Sequence, residues 1–540
     1  MLFRSVINPF VSDLQSNKVY IFNSINIKVN LPVVLPVHEN FDLKESGLFS
    51  VLANPGHVQS LVAASQSRKK SSNKTQSGDY WFDPAKTYLR IITTKDGIAV
   101  VKAEDMINSN ASFSGKPANK LVMLHRGIEI PIFINKDTDG ILNSGDEIIF
   151  AGSRPAGDTL WYDHYTKEEP FFIYYDENSN PVRYTAFPEV TGSVKSIEYV
   201  EINRHIEYDK AHFWGFDLHN PEHVDTEGWY WKENNSSWDN KFLDTNLFVV
   251  PYNGNSLDLK ARIASMKTNT AIYHHKVSIS LNDEKLSEKE YPLEKLSDIE
   301  IKAGNINFIA GFNNIGVSNL PYYSQGQPLE PNSIMTDYFE LKGKALPVTD
   351  TGLINFDINN LSEPGKLEVK NFRDNNVIII DKEGAQISIN PRISPGINII
   401  AGANSVTGHS SLSDGRNRIS GSSKRGFHVL VYKSPGFESP EYRFFESGSP
   451  DLQGYMSSLP SGSLVSVLYN NSSPAPADKV NLFSSYGGSQ LSSAGANNPW
   501  FYAFTVNSSE FRSEKLGAGG LLSEAVFYKS GAGKSYNAEL

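Results

Sequence analysis

The chain has 540 residues, which at roughly 150 residues per domain implies three or four domains. Hydrophobic residues make up 39% and charged residues 20%, a globular balance, and 25 Tyr and 30 Phe favour strands over helices. The formal charge of −10 argues against a generic nucleic-acid binder, which needs a basic excess. The absence of cysteine excludes disulfide scaffolds, Cys-ligated zinc, iron–sulfur clusters and any cysteine nucleophile, and fits an extracytoplasmic protein.

No window approaches the roughly 20 apolar residues of a membrane span. The N-terminus does not read as a signal peptide, because Arg4, Asn8, Asp13 and Gln15 interrupt any apolar core. Residues 1–78 form an N-terminal segment ending in the basic, Ser-rich linker Gln66–Gly78. Residues 79–200 form a first β domain, 201–347 a β-sandwich domain, 348–396 a β connector, and 397–540 a small α/β domain. The expected fold is mainly β: tandem antiparallel β-sandwich domains followed by that α/β module.

The strand signals are short β-rich runs bounded by Gly, Pro, Asn and Asp. They fall at Ile128–Asn135, Phe171–Tyr175, Leu247–Tyr252, Lys276–Leu281, Val377–Ile380 and Phe427–Tyr432. The stretch Ala401–Arg425 is dense in Ser, Gly and Asn and is expected to be turns and edges. Two helices are predicted in the last domain: Asp451–Leu459, preceded by Pro450, and Pro476–Ser485, stopped by Gly487–Gly488. Leu464–Tyr469 and Trp500–Val506 are predicted strands beside them.

The sharpest local motif is NKDTDGILNSGD, residues 135–146. Asn135, Asp137, Asp139, Asn143 and Asp146 occupy the first, third, fifth, ninth and twelfth positions of a calcium-loop pattern. Gly140 stands at the sharp turn, and Ile141 offers its carbonyl. The flanks read as strands, and Asp stands where Glu is usual. A metal-free Asx-rich hairpin loop is therefore the alternative to Ca2+.

Five of the seven Trp fall between Trp161 and Trp238. Trp229 and Trp231 alternate around Tyr230 and are expected on one strand face. With Trp238 they form a candidate platform for sugar rings; sandwich core is the alternative. His205, His212, His219 and His223, with Asp217, Glu222 and Asp225, match no zinc spacing. Ser530–Ser535 (SGAGKS) is not a P-loop, since Tyr528 stands where a Gly is required. No Gly-x-Ser-x-Gly elbow occurs, so no catalytic residue is assigned.

Two stretches resemble known families. Trp81–Asp176 has an extended strand pair, an IPIFI strand, an Asp-x-Asp-Gly loop and GDEIIF. This order resembles the non-catalytic N-terminal β region of gingipain-type proteins of Bacteroidetes, including type IX secretion sortases. Residues 397–530 resemble the interleukin-like EMT-inducer domain. Arg425–Gly426 matches its Arg-Gly pair and Gly462 its glycine before the central strand. Phe445–Ser447 replaces a Phe-Asp-Thr motif, Asn470–Asn471 replaces an acid, and Tyr486–Ser489 approximates a Leu-Gly-Ser.

The second resemblance implies a secreted, cytokine-like or sugar-binding module without catalysis. The reading is a non-catalytic extracellular or cell-surface protein that binds glycan or a protein partner, with no nucleic acid and no membrane span. The alternative is the accessory region or prosegment of a gingipain-like peptidase or type IX sortase, separate from its catalytic domain.

Overall fold

The computed structural model describes residues 10–13, 18–21 and 82–539, apart from 157–160, 162, 164–165, 189–193, 213–228, 236–240, 254–255, 267–273, 293–294, 322, 325–326, 329–332, 359–364, 390, 415–417, 496–497 and 531–534. Two units are compact in themselves, Met1–Trp81 and Phe82–Leu540. In the first, Phe10–Asp13 and Lys18–Ile21 form an antiparallel pair. The second unit is mainly β, as its composition predicts.

The second unit opens with two facing sheets. One runs in the order Tyr88–Thr93, Glu169–Tyr175, Leu121–His125, Ile128–Ile130, and the other Gly97–Lys102, Glu147–Gly152, Phe133–Asn135. Between them lie Leu121, Met123, Ile148, Phe150, Phe171 and Ile173, and helix α1 (Ala103–Ser109) adds Ala103 and Met106. The expected single strand Ile128–Asn135 is therefore two, one in each sheet. Pro131 has no N–H for a ladder, and the chain turns the corner there.

The sandwich follows. One sheet has the order Val200–Glu207, Ser333–Ala345, Leu257–Met266, Lys295–Ile301, with Lys232–Asn235 also on Ser333–Ala345. The other has the order Lys241–Val249, Gly311–Leu320, His274–Leu281, Glu284–Pro292. Period-2 alternation decides the faces. Leu257, Leu259, Ala261 and Ile263 enter the core, while Lys260 and Arg262 pair with Asp298 outside it. The Trp161 ring lies 3.9 Å from that of His205 on this sheet, and the Arg154 guanidinium lies 3.4 Å from Trp161 on its own side. This stack joins the first pair of sheets to the sandwich.

The C-terminal region has three layers. Its middle sheet is antiparallel, in the order Glu441–Phe445, Gly426–Tyr432, Leu464–Asn470, Trp500–Thr505, Arg512–Leu516. Helices α2 (Asp451–Ser457) and α3 (Ala477–Ser485) lie on one face, over Val429, Val467, Trp500 and Phe504. A second sheet covers the other face, where Ile399, Ala401 and Leu522 meet Leu430, Leu468 and Phe501. Burial on both faces explains why the three inner strands show no alternation.

The covering sheet runs in the order Glu368–Phe372, Ser535–Glu539, Arg392–Asn404, His409–Ser413, Arg418–Ser422, with Leu521–Lys529 also on Arg392–Asn404. Arg392–Asn404 runs through the junction placed at 396/397, and the last strand, Ser535–Glu539, pairs back across it with Glu368–Phe372 and Arg392–Gly396. The Ser-rich stretch after Ala401 holds the expected turn at 405–408 and the edge strand Arg418–Ser422, but His409–Ser413 is an inner strand. Ser410, Ser411 and Ser413 are fully buried. Small hydroxyl side chains fit the narrow space between sheets, and the Asn470 amide donates to the His409 carbonyl (3.0 Å) and to Ser410 Oγ (2.9 Å).

Candidate functional site

A groove of about 570 Å³ opens at the edge of the middle sheet, between Glu441–Phe445 and α2. Among the described residues that strand pairs on one side only, with Gly426–Tyr432. Its alternation sends Arg443 and Phe445 to the groove. Helix α2 buries Leu452, Tyr455 and Met456, spaced i, i+3, i+4, against the sheet and leaves Asp451 and Gly454 along the groove wall.

The charges are arranged around one carboxylate. Lys433 Nζ and Arg443 Nε each lie 2.6 Å from Glu441, on different oxygens. Chiefly through the Lys433 bond, and against a smaller push from burial, they hold the Glu441 carboxyl below its usual range. The Arg443 guanidinium lies 4.4 Å from the Tyr455 ring centre. Burial pushes the Tyr455 phenol up to about 12, and its hydroxyl lies buried without a hydrogen bond of ordinary geometry. Ser458 Oγ donates to the Tyr455 carbonyl at 2.7 Å, so this serine is held by backbone, not by a base. The groove therefore offers charge-assisted hydrogen bonds, an acid and aromatic edges, which suit binding.

None of these residues stood out in the sequence. The available signal was EYRFF: two opposite charges alternating with aromatics on an edge strand.

The positions that carry the family resemblance fall on structural features. Gly462 and Gly487 have φ of 80° and 92°. Ser447 Oγ lies 3.0 Å from the Tyr469 hydroxyl, and Asn470 bridges to the covering sheet.

The aromatic platform does not form as expected. The strand Trp229–Tyr230 ends at Trp231, and the chain resumes as Lys232–Asn235. The break removes the alternation, so Trp229 is 42% exposed while Trp231 is buried, 5.4 Å edge-on to Phe339. Trp238 lies outside the described residues. Of the four clustered histidines only the His205 side chain is described. It lies 2.5 Å from Glu207, and burial takes its pKa down to about 4. His212 is in a strand, but its side chain lies outside the described residues, as do His219, His223, Asp217, Glu222 and Asp225 entirely.

Residues 135–146 form a loop between Phe133–Asn135 and Glu147–Gly152, closed by their own side chains. Asp137 Oδ1 accepts from the Gly140 amide (2.6 Å), and Asp139 Oδ1 from the Ile141 amide (3.0 Å). The Asn143 amide donates to both Asp139 oxygens, at 3.2 and 3.0 Å, and to the Ile141 carbonyl at 2.9 Å. Asp146 accepts from the Asn143 amide N–H (2.7 Å), and Asn135 donates to Glu147 (2.9 Å). Among the described residues no three His, Asp or Glu side chains converge as a metal site. Calcium binding requires Asn143 to turn its carbonyl inward and release Asp139. Melting curves with calcium and with chelator decide the matter. Bound calcium raises the melting temperature, and a loop held by Asx turns alone does not respond.

No protein-family profile and no curated protein matches the chain. Among solved structures, latent dimeric PorU from Porphyromonas gingivalis is 12% identical, with a TM-score of 0.36 over 56% of this chain and 29% of that one. The CBM36-1 domain of a xylanase from the hindgut metagenome of Trinervitermes trinervoides is 16% identical, with a TM-score of 0.18 over 26% of this chain and 98% of that domain. The ANXUR2 extracellular domain from Arabidopsis thaliana is 9% identical, with a TM-score of 0.19 over 48% and 89%. The chain thus spans less than a third of the first of these. All three TM-scores are under 0.5, so none of them sets a function here.

Proposed function

We propose that the chain is a non-catalytic recognition protein, outside the cell or on its surface, which binds glycan through its C-terminal module. The observation that carries this is the groove itself: a cavity of about 570 Å³, within the range that holds small molecules, lined by Lys433, Arg443, Asp451 and Tyr455. It is set at the edge of a sheet whose inner strands are buried on both faces, which anchors the groove strand on a rigid neighbour. The resemblance of the sequence of residues 397–530 to interleukin-like EMT-inducer domains points the same way. No helix among the described residues is long and apolar enough to cross a membrane, a statement that leaves β-barrels untouched.

The test uses the full chain on a glycan array, beside the variant Gly454→Trp. Gly454 lines the groove and a Cβ there meets nothing within 4 Å, so a bulky side chain can be introduced at the groove wall without a clash at its base. Glycan binding by the native chain and its loss in the variant are the expected result. A blank array from folded protein, or turnover of a substrate, overturns the reading.

The second reading, an accessory region of a gingipain-like peptidase or type IX sortase, rests on the resemblance over Trp81–Asp176. It predicts tight, groove-independent association with a separate cysteine peptidase domain. Calcium at residues 135–146, where present, would stiffen a loop remote in sequence from the groove.

A further inference from the structure

We infer that the groove recognises a sugar acid, its carboxylate on Arg443 and its hydroxyls toward Asp451. This rests on the proposal that the groove binds glycan, and deepens it to a ligand class.

The reasoning is one of unmatched charge. Lys433 and Arg443 both use Glu441, so two cations share one anion at the strand side of the groove. Their side chains are 54% and 53% exposed. Arg443 spends Nε on Glu441, and its two terminal nitrogens, the fork that fits a carboxylate, have no hydrogen-bond partner among the described residues. The Tyr455 ring holds the guanidinium plane from beneath. Arg443 is thus oriented before a ligand arrives, which lowers the entropy lost on binding.

The helix side carries the opposite demand. Asp451 lines the groove there, and an ionised carboxylate accepts hydrogen bonds only. Free inorganic sulfate has no donor for it and is repelled. A neutral sugar satisfies Asp451 but leaves the Arg443 fork unmatched. A molecule with a carboxylate at one end and hydroxyl donors at the other satisfies both, and a uronic acid is such a molecule. Phe445 and Tyr455, both buried, form the floor beneath these polar groups.

Isothermal titration of the full chain compares digalacturonate with its dimethyl ester, which has the same shape and no charge. The acid is expected to bind roughly tenfold tighter or better, about the worth of one charge-assisted bidentate pair. Arg443→Gln abolishes that preference, and Arg443→Lys restores only part of it. Equal binding of acid and ester overturns the inference and leaves glycan recognition standing. So does binding of neutral array glycans alone, or a short oligo-aspartate competing as well as the sugar acid. Folded protein that binds nothing on the array, or a Gly454→Trp variant that binds sugar as well as the native chain, removes the groove reading on which the inference depends.

Discussion

Replacing Glu514 by Ala lowers the stability of the C-terminal region by roughly 3 kcal/mol, the scale of a lost charge-assisted bond together with an orphaned buried donor. The Glu514 carboxylate gathers the turn after α3 onto the middle sheet. It accepts from the Ser489 amide (2.9 Å), the Ser489 hydroxyl (2.8 Å), the Gln490 amide (2.8 Å) and the indole N–H of Trp500 (2.8 Å). Trp500 is fully buried, so its indole N–H has no water to turn to when the acceptor is removed. Glu514→Gln keeps the shape and loses the charge, and costs less.

The pH dependence has a definite sign. Burial pushes the Glu514 carboxyl up, but the bonds from Gln490, Ser489 and Trp500 outweigh it and hold the group below its usual range. Its stabilising contribution is therefore present above the ordinary glutamate range and disappears as pH falls through the lowered folded value. The gap in melting temperature between the native chain and Glu514→Ala should be wide at pH 7 and close toward pH 3. A gap that stays constant across that range assigns the loss to packing alone.

Gly426→Ala is expected to cost roughly 3 kcal/mol or more, from backbone strain and a forced clash together. Gly426 opens the strand Gly426–Tyr432 with φ of 152°, a conformation that side-chain-bearing residues rarely adopt. An added Cβ would lie 2.4 Å from the Phe445 carbonyl oxygen and 3.0 Å from the Phe444 ring. Neither a ladder carbonyl nor a ring next to it can yield without spoiling the pairing of Phe427 with Phe445. Because that pairing forms the inner wall of the groove strand, ligand binding should weaken with stability. Gly454→Ala, mid-helix with a Cβ in open space, is the control and should melt at or slightly above the native chain. Equal melting of the two variants would show that the glycine requirement at 426 is not steric.

Much of the local structure was legible in the sequence because it depends on local chemistry. Both predicted helices of the last domain occur, as Asp451–Ser457 and Ala477–Ser485, bounded by the Pro and Gly residues that cannot continue a helix. The runs Phe171–Tyr175, Lys276–Leu281, Phe427–Tyr432 and Leu464–Tyr469 all lie in strands, since β-branched and aromatic residues between turn residues leave few alternatives. The mainly β class follows from the same signal.

What depended on neighbours distant in the chain was not legible. Whether Trp231 faces solvent or core is decided by Phe339, more than a hundred residues later, and by a strand break that alternation does not reveal. The serines at 410, 411 and 413 read as loop because polarity is the usual mark of exposure. Only a second sheet laid over them, and an amide from Asn470, made burial possible. The groove belongs to the same class. Lys433, Glu441 and Arg443 become one ion cluster because a hairpin returns the strand beside its neighbour, and Tyr455 comes under Arg443 because α2 packs back on that edge. Composition and turn chemistry settled which segments are strands and helices. Tertiary packing alone settled which charges meet, since charges meet through strand register and layer contact, and neither has a local code.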